Sequence, residues 1–396
     1  MGPLLLLPAA VALVAGLVLL VTTAYSVVLF AIGSSLPQTQ LPPVEWGTEV
    51  YVLIAALNRS PALEETLQWV DEIRGPKLRL LVALGMEQED LTESQGDILR
   101  PLDVFEAEGS GGKAYTLNRG FWHTLGYFLL LDEDSHPDPD CVTKMVPYLK
   151  EDEKVWAVVG HPYPSNQDSG VLQRTLSLEA GAWAAVARAR DRFGLFLPAP
   201  GFFSLIRWES LNCPSGTPAW NEDALAEDTE LSVRQYVKGW KTRLSTARVG
   251  IEAPPTMKAL FLQRVRWYKG MLEALWWNAR LLLRLPLGKG IDVAVTLLTP
   301  MAPAAFLVLL LLSPLWPGVI LPALLGLLAL QLVAAWMSTS KLRRGRTGVV
   351  LFSVPYMLIQ GAAALAALGA FLFHVKVPWQ RTPKKDDVRD RSTSNV

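Results

Sequence analysis

The chain is poor in cysteine. Its 396 residues include two, Cys141 and Cys213, too far apart for a paired metal-ligand motif and too few for a disulfide framework. It also lacks an excess of either charge. Thirty-seven basic residues balance 37 acidic ones, so nothing suggests a surface for nucleic acid, and no nucleic-acid partner is expected. No Lys or Arg precedes the first apolar run, Leu4 to Ile32, and no charge interrupts it. A cleaved secretion signal has a basic start and a shorter apolar core, so this run is read as a retained membrane helix. It is long enough to cross a bilayer core of about 30 Å.

Three further runs, Val293–Leu312, Leu315–Met337 and Val349–Phe373, are also free of charge, which a helix with one face in water rarely tolerates. Their few polar residues include Thr296, Thr299, Gln331 and Gln360. The expected organisation is a membrane helix over residues 1–33, a linker over 34–48 and an α/β domain over 49–270. An amphipathic interfacial helix over 271–290, a membrane region of two to three crossings over 291–375 and a polar tail over 376–396 would follow.

The middle of the chain reads as an α/β domain. Val50–Leu57 and Leu78–Leu84 are short apolar runs of strand character. Between them Ser60-Pro61 opens a helix, with Ser as N-cap and Pro in the first turn. Strand, helix and strand in this span make a βαβ unit and hence a parallel sheet. Residues 87–103 are polar and read as loop plus a short helix. Further elements are expected at Ala114–His123 (helix), Val155–Gly160 (strand), Gly170–Arg190 (helix) and Pro198–Ile206 (loop and strand). Gly201 in the last of these could let a ligand come close.

Four stretches carry candidate chemistry. Phe128 to Asp140 reads FLLLDEDSHPDPD: an apolar run of strand character, Tyr127–Leu131, ends in Asp132, Glu133 and Asp134, at the strand edge where open α/β sheets put ligands. Asp132 and Asp134, one residue apart, can direct oxygens at one divalent cation that holds a diphosphate. A polar turn helped by Pro137 and Pro139 would carry the same residues. Gly109–Asn118 supplies glycines and a mobile cation, Lys113, suited to phosphate, without Walker spacing. In AEDTELSVR, Glu227 and Asp228 stand at a helix N-terminus, where the dipole favours a carboxylate that could act as general base. Ordinary capping would look alike. In QRVRWYKG, helical spacing puts Gln263, Arg266 and Trp267 on one face, with guanidinium for diphosphate and indole for a sugar ring. A helix lying on anionic lipid, continued by Trp276, Trp277, Arg280 and Arg284, is the competing reading.

The order of these motifs (GGKAYTLNRG, LLLDEDSHPD, AEDTELSVRQYVKGWK, APPT at Ala253–Thr256 and QRVRWYKG) resembles the membrane-integrated, inverting glycosyltransferases of family 2, which include hyaluronan, cellulose, chitin and mannan synthases. The resemblance covers Val50 to Gly270 with membrane segments on both sides. It implies a GT-A domain inserted between transmembrane helices, a UDP- or GDP-sugar donor, and Mg²⁺ or Mn²⁺ at Asp132 and Asp134. Asp228 would be the catalytic base. Lys113, Asp132, Glu227, Gln263, Arg264, Arg266 and Trp267 would bind donor and acceptor. Two departures stand out. Ala55-Ala56-Leu57-Asn58-Arg59 replaces the usual Pro-x-x-Asn-Glu, and Leu84-Gly85-Met86 stands where an aspartate usually reads the base, leaving Glu87 or Asp90 as substitutes.

The implied activity is that of a processive β-glycan synthase, a hexosyltransferase of polysaccharide biosynthesis. The alternatives are a lipid glycosyltransferase adding one sugar to a ceramide or diacylglycerol, which the scarcity of polar residues in the C-terminal runs apart from Thr296, Thr299, Gln331 and Gln360 slightly favours, and a non-catalytic membrane scaffold on the same fold. The partners implied are the nucleotide-sugar, a glycan or lipid acceptor, and membrane lipid. Nucleotide-sugars are cytosolic, so the chain is expected in the cell membrane with its catalytic domain cytoplasmic. Lys341–Arg346 then returns to the cytosol after two crossings, in keeping with the positive-inside rule. Val377–Lys384 resembles a cytosolic stretch of the family, so either Val349–Phe373 does not cross fully or the tail departs from the family.

Overall fold

The computed structural model describes residues 6–44, 49–56, 60–75, 78–84, 102–106, 112–211, 218–338 and 346–377. A long apolar helix, α1 (Leu6–Ser35), precedes an α/β region. That region runs β1 (Val50–Ala56), α2 (Pro61–Asp71), β2 (Leu78–Leu84), β3 (Leu102–Glu106), α3 (Gly112–Phe121), β4 (Tyr127–Asp132), β5 (Ser135–Pro137) and α4 (Cys141–Glu151). It continues with β6 (Val155–Pro164), α5 (Val171–Phe193), β7 (Phe203–Arg207), α6 (Trp208–Leu211), α7 (Glu227–Val237) and β8 (Lys241–Ile251). Then come α8 (Met257–Leu282), α9 (Leu287–Leu298), α10 (Ala302–Leu312), α11 (Pro317–Ser338) and α12 (Arg346–Leu372).

The strands form one mixed sheet in the order β3-β2-β1-β4-β7-β6-β8-β5. β3, β2, β1 and β4 are mutually parallel, and β7 is antiparallel to β4 and β6. Alternation along β1 explains why both faces of the sheet must be covered. Val50, Val52, Ile54 and Ala56 join the core under α2 and α4, while Tyr51, Leu53 and Ala55 join the core under α3 and α5. The predicted start of α2 is found: Ser60 Oγ accepts from Leu63 N at 3.2 Å, with Pro61 in the first turn.

The expectation of loop plus short helix over 87–103 is corrected at its end. Leu102–Glu106 is β3, paired in parallel with Leu80–Leu84. This edge strand is held by main-chain bonds to β2 rather than by a local pattern of its own, and residues 85–101 lie outside the described residues. β5 and β8 were not anticipated. β8 owes its place to parallel pairing with β6 and antiparallel pairing with β5.

Among the described residues three helical segments are long and apolar enough to cross a membrane: Leu6–Ser35, Leu287–Leu315 and Arg346–Leu372. Within α11 the stretch Pro317–Ala329 is apolar but shorter. The predicted boundary at residue 270 is not a break, because α8 carries both the QRVRW stretch and Trp276-Trp277 in one helix. α12 runs beside α8 in the same direction. Leu260 clusters with Phe352 and Tyr356, Tyr268 bonds to Gln360, and Trp276 meets Phe371 edge-on.

Two devices fasten α1 to the sheet domain. A Cβ at Gly33 would fall 1.7 Å from the Ala185 carbonyl oxygen, so only glycine permits the close crossing of α1 over α5. Deeper along α1, Asp292 of α9 accepts from Tyr25 Oη at 2.5 Å, Arg190 Nη1 at 3.0 Å and Phe196 N at 2.6 Å. The Arg190–Asp292 pair is almost fully buried, with side chains 6% and 3% exposed, and Arg190 Nη1 also donates to Phe196 O. Removing one partner of such a pair leaves the other charge buried and uncompensated. Asp292→Ala is therefore expected to cost about 3–5 kcal/mol, and Tyr25→Phe about 1.5–3 kcal/mol. Thermal unfolding of the purified chain in detergent would measure both, with Asp292→Ala showing the larger fall.

Candidate active site

β1 leads to β2 on one flank, while β4 lies on its other flank, so the C-terminal ends of β1 and β4 bound a crevice at a topological switch point. Asp132 closes β4 there. The turn behind it is pinned at three points. Asp132 N donates to Ser135 Oγ at 3.2 Å, Ser135 Oγ donates to Phe202 O at 2.9 Å, and Thr66 Oγ1 donates to Glu133 O at 2.9 Å. Asp132 and Asp134 are thereby held between α2 and the segment that precedes β7.

Lys113, in the first turn of α3, is the centre of the site. Its ammonium lies 2.5 Å from Asp132 Oδ1, 3.5 Å from Glu227 Oε1 and 3.4 Å from the Gly201 carbonyl oxygen. Burial works against the charged amine, yet Asp132, Glu227 and Asp228 outweigh it and hold the group above the ordinary lysine range. Glu227 is pushed up by burial and by Asp228 beside it, against the pull of Lys113 and Arg266.

Asp228 sits in the first turn of α7. Its Oδ1 accepts from Thr229 N at 2.6 Å and its Oδ2 from Gly201 N at 2.8 Å. Ser232 Oγ donates to Asp228 O and accepts from Ala199 N, stitching α7 to the 199–201 segment. Gly201 was expected to admit a ligand, but the group that approaches it is the ammonium. A Cβ there would lie 3.0 Å from Lys113 Nζ and 3.5 Å from Asp228 Oδ2.

A cavity of about 1970 Å³ opens from this cluster. Lys113, Asp132, Asp134, Glu227 and Asp228 line one end, and Gln263, Arg264, Arg266 and Trp267 of α8 line its wall. Every site residue expected from sequence thus faces one space. The cavity continues between α1, α9, α10, α11 and α12, where Thr23, Ser26, Thr296, Thr299, Gln331 and Gln360 are among its lining. Residues 57–59, with Asn58 and Arg59, and the proposed base readers Glu87 and Asp90 lie outside the described residues.

Sequence reading missed Glu179 of α5. Its Oε2 accepts from Arg264 Nη2 and from Tyr356 Oη of α12, both at 2.6 Å. Tyr356 accepts in turn from Gln360 Nε2 at 2.7 Å, and Gln360 Oε1 accepts from Tyr268 Oη at 2.5 Å. The Arg264 guanidinium lies over the Trp267 ring, 4.6 Å from its centroid. One carboxylate thus fixes the arginine that stacks on Trp267. The available signal was a lone acid in the alanine-rich run LSLEAGAWAA.

Asp132 and Asp134 suit a cation of the Mg²⁺ class, which takes one or two carboxylates and completes its shell with phosphate oxygens and water. Among the described residues no three His, Cys, Asp or Glu side chains gather as a closed metal site.

Residues 127–373 match the model of glycosyl transferase family group 2. The chain belongs to this family. A probable glycosyltransferase of Bacillus subtilis, YdaM, is 30% identical over 233 residues, 56% of this chain and 55% of that protein. The poly-β-1,6-N-acetyl-D-glucosamine synthase of Staphylococcus aureus is 26% identical over 228 residues, 56% of this chain and 54% of the synthase. The chain therefore spans about half the length of the curated relatives it matches. In fold it resembles a mannosyltransferase of Pyrobaculum calidifontis solved with GDP-mannose and Mn²⁺, with a TM-score of 0.60, 17% identity, and coverage of 92% of this chain and 100% of that one. The fold is GT-A-like.

Glu179→Gln removes the charge that anchors Arg264 and, through it, Trp267. Turnover is expected to fall by roughly tenfold to a hundredfold, the scale of a small misplacement in a site. Equilibrium binding of nucleotide should stay unchanged, which separates this effect from a general loss of fold.

Proposed function

We propose that this family 2 glycosyltransferase is a membrane-embedded, inverting enzyme that extends a β-linked glycan from a nucleotide-sugar donor. The observation that carries the reading is the continuity of one cavity from the carboxylate cluster at Lys113 into the apolar helices. The polar residues Thr296, Thr299, Gln331 and Gln360, scattered over three apolar helices, all line it. Each of the four is already bonded within the fold, so none needs a partner, but their oxygens keep acceptor capacity that the hydroxyls of a glycan can use along the cavity wall. The similarity to a poly-β-1,6-N-acetyl-D-glucosamine synthase supports a glycan acceptor.

In this reading Asp132 and Asp134 hold Mg²⁺ or Mn²⁺ together with the donor diphosphate, and the ion would stabilise negative charge on the departing nucleotide. The fold neighbour solved with GDP-mannose and Mn²⁺ supports that choice. Lys113 keeps the three carboxylates from repelling one another and presents a positive charge toward the donor. Gln263 and Arg266 face the diphosphate, Arg264 and Trp267 shape the acceptor side, and Glu227 helps fix Lys113. Asp228 takes the proton from the acceptor hydroxyl as that oxygen attacks the anomeric carbon. Its two main-chain bonds aim the carboxylate, and each oxygen keeps a second lone pair for the hydroxyl. A single base and direct displacement invert the anomeric centre, so an α-linked donor gives a β-linked product.

The catalytic domain is assigned to the cytosolic side, where nucleotide-sugars are. α12 lies along α8, which carries Arg264, Arg266, Lys269 and Glu273 and cannot itself cross a bilayer. This supports a last apolar helix that follows α8 rather than crossing, with the tail left on the cytosolic side. A second reading, transfer of one sugar to a lipid, is favoured by the apolar remainder of the cavity wall, including Leu19, Val27, Phe30, Phe306 and Leu327.

Incubating the purified chain with UDP- and GDP-sugars and weighing the products separates the readings. A ladder of sugar masses is expected, and a single-sugar lipid would replace the polymer reading with the second. Asp228→Asn is expected to lower transfer by about 10²–10⁴-fold, the usual worth of a general base. Donor binding measured by calorimetry should be retained, and unchanged turnover would remove Asp228 from its role.

A further inference from the structure

A second cavity, about 220 Å³, lies where α1 leaves the apolar layer and shares no lining residue with the large one. The chain beyond Ser35 covers it as a strap. Thr39 O accepts from Tyr148 Oη at 3.1 Å, and Gln40 bonds to Lys144 O at 2.8 Å and Thr246 Oγ1 at 2.6 Å. Three guanidinium groups line the cavity, those of Arg188, Arg192 and Arg243. Arg243 is balanced by Asp191 at 2.8 Å and Glu151 at 3.8 Å. Among the described residues, Arg188 and Arg192 have no carboxylate within ion-pair distance. Arg188 Nε donates to Gly33 O at 2.9 Å, in the last turn of α1, and its other N–H groups remain for a ligand.

The charge of Arg188 is felt locally. Burial, then Arg188 and Arg248, lower His161 in the same cavity to about 4, so its imidazole is neutral. It meets the Gln38 amide at 2.9 Å. The net effect is a small, polar, positively charged recess with two uncompensated planar donors, the geometry that suits phosphate oxygens. The volume is below the roughly 300–1,000 Å³ of pockets for larger ligands, which excludes a nucleotide.

We propose that this recess binds the phosphate of an anionic phospholipid headgroup through Arg188 and Arg192, clamping the end of α1 to α5. The source of the phosphate is argued from position. Arg188 bonds to the last turn of α1, and Val21 and Val28 on the preceding turns are exposed and line neither cavity, an apolar surface along which acyl chains can lie. This places the recess at headgroup level on the side where acidic lipids attract basic groups. The inference rests on α1 being a membrane helix and not on the transfer chemistry.

The test uses the full chain in detergent and native mass spectrometry with phosphatidylglycerol, phosphatidylcholine or inorganic phosphate as probe. Phosphatidylglycerol is expected to be retained in preference to phosphatidylcholine, with inorganic phosphate a weak competitor. Arg192→Gln touches no bond of the fold and should weaken retention about fivefold, and with Arg188→Gln added roughly thirtyfold. Lys154→Gln, at an exposed lysine just before β6, should change nothing. Equal retention of both lipids would overturn the site, as would the same loss in Lys154→Gln. Binding of inorganic phosphate without the lipid would overturn the headgroup assignment.

Discussion

A single buried ammonium organises the candidate active site of this protein. Asp132, Glu227 and Asp228 come from two elements about a hundred residues apart, and carboxylates brought this close repel unless a cation stands among them. Lys113 is that cation, and its reach from α3 decides which parts of the chain must meet. The β4 end, the segment before β7 and the start of α7 all converge on it. Gly201 follows from the same constraint, because any side chain there would push against the ammonium. The cluster is thus held together internally, with one ammonium offsetting part of the charge of three carboxylates.

The second constraint is how an apolar set of helices stays in register with the sheet domain. Apolar packing alone is tolerant of sliding, whereas hydrogen-bonded polar groups fix one arrangement. Two polar clusters supply that fixity. Asp292 gathers Tyr25, Arg190 and Phe196 N, joining α1, α5 and α9. Glu179 gathers Arg264 and Tyr356, joining α5, α8 and α12. α5 takes part in both, so this one helix sets the position of the apolar helices relative to the sheet.

Local chemistry made much of this legible in the sequence. β2 falls on its predicted bounds, β1 and β4 within a residue of theirs, and the Ser60 cap is where its residue type demands. The carboxylates were legible for the same reason: acid at the end of an apolar strand or the start of a helix is a local signal. What escaped depends on distance along the chain. β5 and β8 owe their existence to partners across the sheet, and β3 to the main chain of β2. Lys113 reads locally as a phosphate ligand, and only the fold shows the carboxylates around it. Tyr25 and Asp292 are 267 residues apart, and neither announces the other.

The placement of Trp267 follows from both constraints together. α8 packs on α7, whose first turn carries Asp228, and on α12, whose Tyr356 and Gln360 reach its other face. A shift of α12 along α8 would break the bonds to Glu179 and Tyr268 before it disturbed the apolar contacts, because hydrogen bonds tolerate less displacement than dispersion does. Arg264 would then lose its anchor, and the indole it covers would be free to turn. The cavity wall is therefore set from the apolar helices, while the carboxylate cluster is set from the sheet. In the proposed reaction, an acceptor lying against Trp267 and reaching Asp228 would have to satisfy both at once.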